Sequence, residues 1–200
     1  MFRRRPNPSE IHDYETSVAA HQANVSHIKR SFEALNLDRD RATLVGGAAL
    51  RLHGGIRRKN AADLDIVVPA ADLTRFHEQG LDSPHVLHAS LGHQADADIG
   101  RGTTSLRVVT SDSFLDADLL SRYDPAEESI EAYDAHFDET VDFEIIDGIR
   151  VASLLYLLDE YSQRKDAKAA HDEIVVKDLL RVQDVDPKKA LKLYRRTKRR

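Results

Sequence analysis

Asp63 and Asp65 stand two residues apart in the run Asp63-Leu64-Asp65-Ile66-Val67-Val68, and this stretch constrains the chain more than any other. A strand sends side chains i and i+2 to one face, so the two carboxylates project together while Leu64, Ile66 and Val68 supply apolar surface. Like charges held side by side repel, and partial burial strips each of solvation unless a cation offsets them. Magnesium suits that position, because it takes hard oxygen ligands and is held by one or two carboxylates together with substrate phosphates. Manganese accepts the same donors. Upstream, a short apolar strand ending in Leu44-Val45 runs into Gly46-Gly47, and a short helical segment continues to His53. Glycine lets backbone N–H groups approach a phosphate, and a helix start offers its positive end. A basic loop containing Arg57 and Arg58 then leads into the acidic strand. One part of the stretch suits a triphosphate and the other a metal.

With Gly46-Gly47, Ala48, Leu50, His53-Gly54, Arg57 and Asp63-Leu64-Asp65-Ile66, the chain resembles the nucleotidyltransferase superfamily, whose fold is that of DNA polymerase β. The wording is most similar to the minimal, abortive-infection-type branch, which includes nucleotidyltransferase toxins. The resemblance implies an α+β nucleotidyltransferase fold, a small mixed β-sheet flanked by helices. A long N-terminal helix and a C-terminal helical region would accompany it. It divides the chain into an N-terminal helix packing on the core (1–40), a catalytic domain (41–151) and a C-terminal helical region with a basic tail (152–200).

The implied activity is metal-dependent transfer of a nucleoside monophosphate from an NTP, ATP among them, to an acceptor hydroxyl. Two divalent ions ~4 Å apart stabilise the entering and leaving oxygens in such a reaction. The resemblance assigns Asp63 and Asp65 to the metals and Gly46 and Gly47 to the β- and γ-phosphates, with Arg57 or Arg58 offsetting charge. A third carboxylate comes from a later strand beside the Asp-x-Asp strand. Asp118, followed by Leu119 and Leu120, matches it, with Asp116 on the same face as the reserve. Asp118 would also help deprotonate the acceptor. Arg150-Val151-Ala152-Ser153 and Lys177-Asp178 match the family's C-terminal pattern, in which the lysine contacts nucleotide phosphate and the aspartate orients it. The lysine that relatives carry on the first C-terminal helix falls here at Asp159-Glu160, a departure from the pattern.

The acceptor stays open. Toxin relatives point to RNA, such as a tRNA 3′ end, or to a protein, in a system with an antitoxin partner. A small molecule such as an aminoglycoside is a third choice, and a non-catalytic nucleotide- or protein-binding module is the contrasting class. The ends of the chain are basic, Arg3-Arg4-Arg5 and Lys188 to Arg200, although the net charge is −5. Basic side chains attract phosphate backbones without regard to sequence, and Tyr194 among them would stack on a base. This tilts the acceptor toward RNA. There is no cysteine, which excludes disulfides, thiolate zinc sites and a cysteine nucleophile. No apolar run approaches the ~20 residues of a membrane span, and no apolar segment follows the basic N-terminus. A cytoplasmic protein with no membrane partner is the expectation.

The remaining elements follow from spacing. From Ser9, a helix to about Asn36 carries Ile11, Tyr14, Val18, Val25, Ile28, Phe32 and Leu35 on one stripe, broken only by His21. Residues 70–79 read as a surface helix, 86–89 as a strand, and 94–103 as a polar loop near the site. SLRVVT (105–110) reads as a strand, and 127–137 as an acidic helix. Asp147-Gly148 reads as the turn of a hairpin, and Asp186-Pro187 as a helix start.

Overall fold

The structure, a computed structural model, describes residues 8–55, 61–96, 101–123, 141–164 and 166–198. Seven strands form one mixed sheet: β1 (Thr43–Val45), β2 (Asp63–Val67), β3 (Val86–Asp96), β4 (Arg101–Thr110), β5 (Asp116–Tyr123), β6 (Phe143–Ile146) and β7 (Ile149–Ala152). They lie in the order β3-β4-β5-β2-β1-β7-β6. The helices are α1 (Pro8–Ala34), α2 (Gly46–Leu52), α3 (Ala70–Gln79), α4 (Leu154–Gln163), α5 (Ala167–Val182) and α6 (Pro187–Lys198). This is the expected α+β architecture, with helices flanking a mixed sheet, a long N-terminal helix and a helical C-terminal region.

The centre of the sheet follows from period-2 alternation. Leu64 and Ile66 of β2, Ala117 and Leu119 of β5, and Leu106 and Val108 of β4 are buried. Their intervening neighbours Asp63, Asp65, Asp116, Asp118 and Arg107 take the opposite face and are only partly buried. Burying the first set is worth about 25 cal/mol per Å² of apolar surface, and it fixes the second set. A one-residue register slip would drive the carboxylates into the core.

The C-terminal part of the α1 stripe packs within the chain, where Ile28, Phe32 and Leu35 are buried; the side chains of Ile11 and Tyr14 lie outside the described residues. Polar contacts set the helix in place. Ser31 Oγ accepts the Leu115 N–H at 2.9 Å just before β5, and Lys29 pairs with Asp147 at the β6–β7 turn. Asn24 accepts the Ala61 N–H at 3.0 Å and donates to the Ala61 carbonyl at 3.3 Å, which pins the chain two residues before Asp63. His21, the polar break in the stripe, faces Arg51 of α2 with Nη1 2.9 Å from Nδ1. An arginine only donates, so this contact requires the imidazole Nδ1 lone pair and a neutral ring.

The Asp147-Gly148 hairpin is present, with φ of 51° and 78° at its two turn residues, the doubly positive pattern of a type I′ turn. Three expectations change. The strand at 86–89 runs on to Asp96, and most of the polar stretch 94–103 is strand, because β3 and β4 pair as a long antiparallel hairpin from Val86↔Thr110 to Asp96↔Arg101. The helix at 70–79 forms, but Asp72 near its start is 6% exposed and not on the surface; it pairs with Arg41 at 3.3 Å and Arg75 at 3.0 Å. The acidic helix expected at 127–137 lies outside the described residues.

Two outcomes test this packing. Phe32→Ala leaves a cavity in the core beneath α1 and is expected to cost about 3–5 kcal/mol in urea unfolding. A loss below about 1 kcal/mol would mean α1 does not pack as described. His21 is held below its ordinary 6.5, first by burial and then by the Arg51 charge. The unfolded chain therefore binds the proton more readily, so stability is full above about 6.5 and falls as pH drops toward the folded value. Replacing His21 by Gln should flatten that fall below about pH 6.5 in chemical denaturation.

Candidate active site

Two neighbouring parallel strands bring four carboxylates onto one face. β2 and β5 pair with Asp63 opposite Asp116 and Asp65 opposite Asp118. The strand carrying Asp118 is thus a later one, adjacent to the Asp-x-Asp strand. Side-chain exposures of 43% for Asp63, 34% for Asp116 and 27% for Asp118 leave the cluster open to solvent.

Asp116 and Asp118 are held differently. Asp116 Oδ1 accepts the Thr110 N–H at 2.9 Å, which ties it to the β4–β5 turn. Asp118 Oδ2 accepts from Arg107 Nη1 at 2.7 Å. Asp116 is therefore anchored in the turn through Oδ1, while its Oδ2 shares Arg107 with Asp118 at the longer distance of 3.4 Å.

Arg107 is the residue that sequence reading passed over. It lies on β4 opposite Asp118 across the antiparallel β4–β5 pair. Its guanidinium reaches Asp118 at 2.7 Å, Asp116 at 3.4 Å and Asp63 at 3.7 Å. Partial burial works against its charge, but the hydrogen bond and charge of Asp118, then the charges of Asp116 and Asp63, outweigh it and hold its pKa above the ordinary value. A cross-strand cation opposite an acidic residue is a favourable pair in its own right. The signal lay in the hairpin spacing of SLRVVT and DADLL.

Gly46 opens α2 with φ of +63°, a conformation that disfavours any side chain. A Cβ built there would overlap Asp65 Oδ2 and lie 3.1 Å from Asp65 Cγ. The space left by the missing side chain is therefore taken by the Asp65 carboxylate, which binds the glycine turn to the acidic strand. Gly47 is buried beside it. α2 itself has seven residues, so its dipole adds little.

Lys177 and Asp178, the other described site candidates, are engaged with neighbours on their own helix. Arg57 and Arg58 lie outside the described residues. Lys177 pairs with Glu173 and Asp178 with Arg181 at 2.9 Å, both within α5. That helix reaches the end of α2, where Val175 lies against Gly55. Ser153, in the segment matching the C-terminal pattern, caps α4 by accepting the Tyr156 N–H at 3.2 Å. Asp159 takes Arg195 of α6 at 2.6 Å.

Tyr194, expected to stack on a base, has its phenol engaged within the protein. It is half-buried, and burial, then a hydrogen bond with Asp142, pushes its phenol well above the ordinary range. Arg195 and Lys198 are also used internally, the latter on Asp142 at 3.2 Å. Lys188, Lys192 and Arg196 are exposed at successive i, i+4 positions of α6.

No family model and no curated protein matches the sequence. Among solved structures, JHP933 from Helicobacter pylori is similar at 19% identity and a TM-score of 0.40, over 80% of this chain and 65% of that one. A second H. pylori structure, provisionally named a nucleotidyltransferase, gives 20% identity and a TM-score of 0.37, over 72% of this chain and 56% of that one. The chain thus spans less than two thirds of either, and TM-scores of this size carry no argument about activity.

The donor set fits a hard divalent cation in its chemistry, since it is all carboxylate oxygen on one face. Among the described residues no three His, Asp or Glu side chains are placed to hold a metal ion together, and a guanidinium spans three of the four carboxylates.

Gly46→Ala is expected to cost at least about 1 kcal/mol in denaturant unfolding, from the positive φ together with the clash at Asp65. A neutral result would show that Asp65 does not lie against this turn.

Proposed function

We propose that this protein is a metal-dependent nucleotidyltransferase that moves a nucleoside monophosphate from an NTP to an acceptor hydroxyl. The observation that carries the reading is the in-register pairing of Asp63-x-Asp65 with Asp116-x-Asp118, with the Gly46-Gly47 turn against Asp65. Clustered like charges serve no purpose in a merely packed sheet, and they suit a cation bound together with phosphates.

In this reading Asp63, Asp65 and Asp118 would hold one or two magnesium or manganese ions. When bound, such ions supply charge neutralisation at the reacting phosphate and at the leaving pyrophosphate. Asp118 accepts the proton of the acceptor hydroxyl, and Asp116, tied to the Thr110 N–H, keeps β5 in place. Gly46 and Gly47 present backbone N–H groups to the β- and γ-phosphates, with Arg57 and Lys177 adding positive charge and Asp178 orienting the lysine. The work is positioning and electrostatics, with no covalent enzyme intermediate.

RNA is the acceptor we propose, a tRNA 3′ end being one example, on the strength of the exposed Lys188, Lys192 and Arg196 stripe. A protein hydroxyl is the second choice. A toxin role with an antitoxin partner rests on the likeness of residues 44–69 to that branch. No helix among the described residues is long and apolar enough to cross a membrane.

One observation favours a contrasting reading. Arg107 already neutralises part of the cluster, as in a domain that binds nucleotide or a partner without turnover. Incubation with magnesium, each α-labelled NTP, total tRNA and cell-extract protein separates the two. We expect label on RNA, falling below about one hundredth in Asp63→Asn and Asp65→Asn, whose thermal stability should hold or rise as repulsion is relieved. Nucleotide binding with no label on any acceptor would favour the binding module, and full transfer by Asp63→Asn would defeat the catalytic assignment.

A further inference from the structure

Arg107 stands where the carboxylates face one another. Its two terminal nitrogens reach Asp118 at 2.7 Å, Asp116 at 3.4 Å and Asp63 at 3.7 Å, and it remains 39% exposed. Its base is fixed, because Leu106 and Val108 on either side are buried and β4 is in register with β5. The end of the side chain is the part that has room to move. Asp116 is also held by the Thr110 N–H at 2.9 Å, a bond that does not involve the guanidinium.

A guanidinium and a divalent ion make competing demands on these oxygens. Each needs the carboxylate lone pairs, and Asp118 Oδ2 already gives one to Arg107. An ion bound by Asp63 and Asp118 would also place its charge against a fixed positive group that does not deprotonate. We infer that Arg107 is a built-in counter-cation of the acidic cluster, holding the metal-free site together and leaving Asp63 and Asp118 when a divalent ion binds them. This rests on the metal reading above. Its consequences are specific: Arg107 lowers metal affinity, stabilises the metal-free protein, and is released toward solvent and any bound anion on loading.

The test is Mn²⁺ binding, followed by the EPR signal of the free ion, on the full chain of wild type, Arg107→Gln and Arg107→Lys, together with thermal unfolding of each with and without Mn²⁺. Losing a partly exposed three-carboxylate contact should tighten Mn²⁺ binding by about tenfold in Arg107→Gln. Its metal-free melting temperature should fall, and saturating Mn²⁺ should restore it. Arg107→Lys keeps a charge but not the planar fork, and should lie between. If Arg107→Gln folds only with Mn²⁺, that result supports the role; if it does not fold at all, a tighter Mn²⁺ affinity in Arg107→Lys carries the same expectation. Equal Mn²⁺ affinity in folded wild type and variant, or an undiminished metal-free melting temperature, overturns the counter-cation role while leaving the metal reading in place. Absence of Mn²⁺ binding from both folded proteins removes the metal reading and this inference with it.

Discussion

Repulsion among Asp63, Asp65, Asp116 and Asp118 is the constraint on which the rest of the site depends. Neighbouring strands lie about 4.8 Å apart, so in-register pairing of two Asp-x-Asp runs holds four negative charges closer than they would settle in water. The fold accepts this because the alternate residues Leu64, Ile66, Ala117 and Leu119 are buried, and burying them fixes the register. The apolar face thus holds the acidic face in a geometry that positive charge stabilises. In this structure Arg107 supplies part of that charge from the next strand.

Elements outside the cluster serve its placement. Asn24 on α1 grips Ala61 just ahead of β2, and Ser31 grips Leu115 just ahead of β5, so one helix holds the entry of both acidic strands. Gly46 lets the α2 turn close onto Asp65 from the other side. His53, at the end of α2, lies 2.8 Å from the Ala152 carbonyl through Nε2, joining that turn to the end of β7. The C-terminal helices are tied in by their own caps and by Arg195 on Asp159.

Much of this was legible from local pattern. The α1 stripe, the Asp147-Gly148 turn and the Asp186 start of α6 are each decided by a few adjacent residues, and the alternation of Asp63, Leu64, Asp65 and Ile66 reports which face each takes. The long β3–β4 hairpin was not legible, because His93-Gln94-Ala95-Asp96 has no apolar alternation to mark it. Arg107 was missed for a different reason. Its importance comes from cross-strand register with a residue eleven positions later, which local periodicity does not encode. Gly46 was legible as a needed glycine, but the group that fills its open side is the Asp65 carboxylate, a contact made across strands. The burial of Asp72 on the helix at 70–79, and the half-burial of Tyr194 in the basic tail, come from partners distant in sequence, Arg41 for the one and Asp142 for the other.

The most direct measurement is a crystal structure of the protein with Mn²⁺ and a non-hydrolysable NTP, with anomalous scattering recorded for the metal. The account predicts a manganese peak bounded by Asp63, Asp65 and Asp118, a triphosphate over Gly46 and Gly47, and Arg107 turned away from Asp118. A nucleotide seated elsewhere, or a site in which Arg107 still spans the three carboxylates and no manganese peak lies beside them, would contradict it.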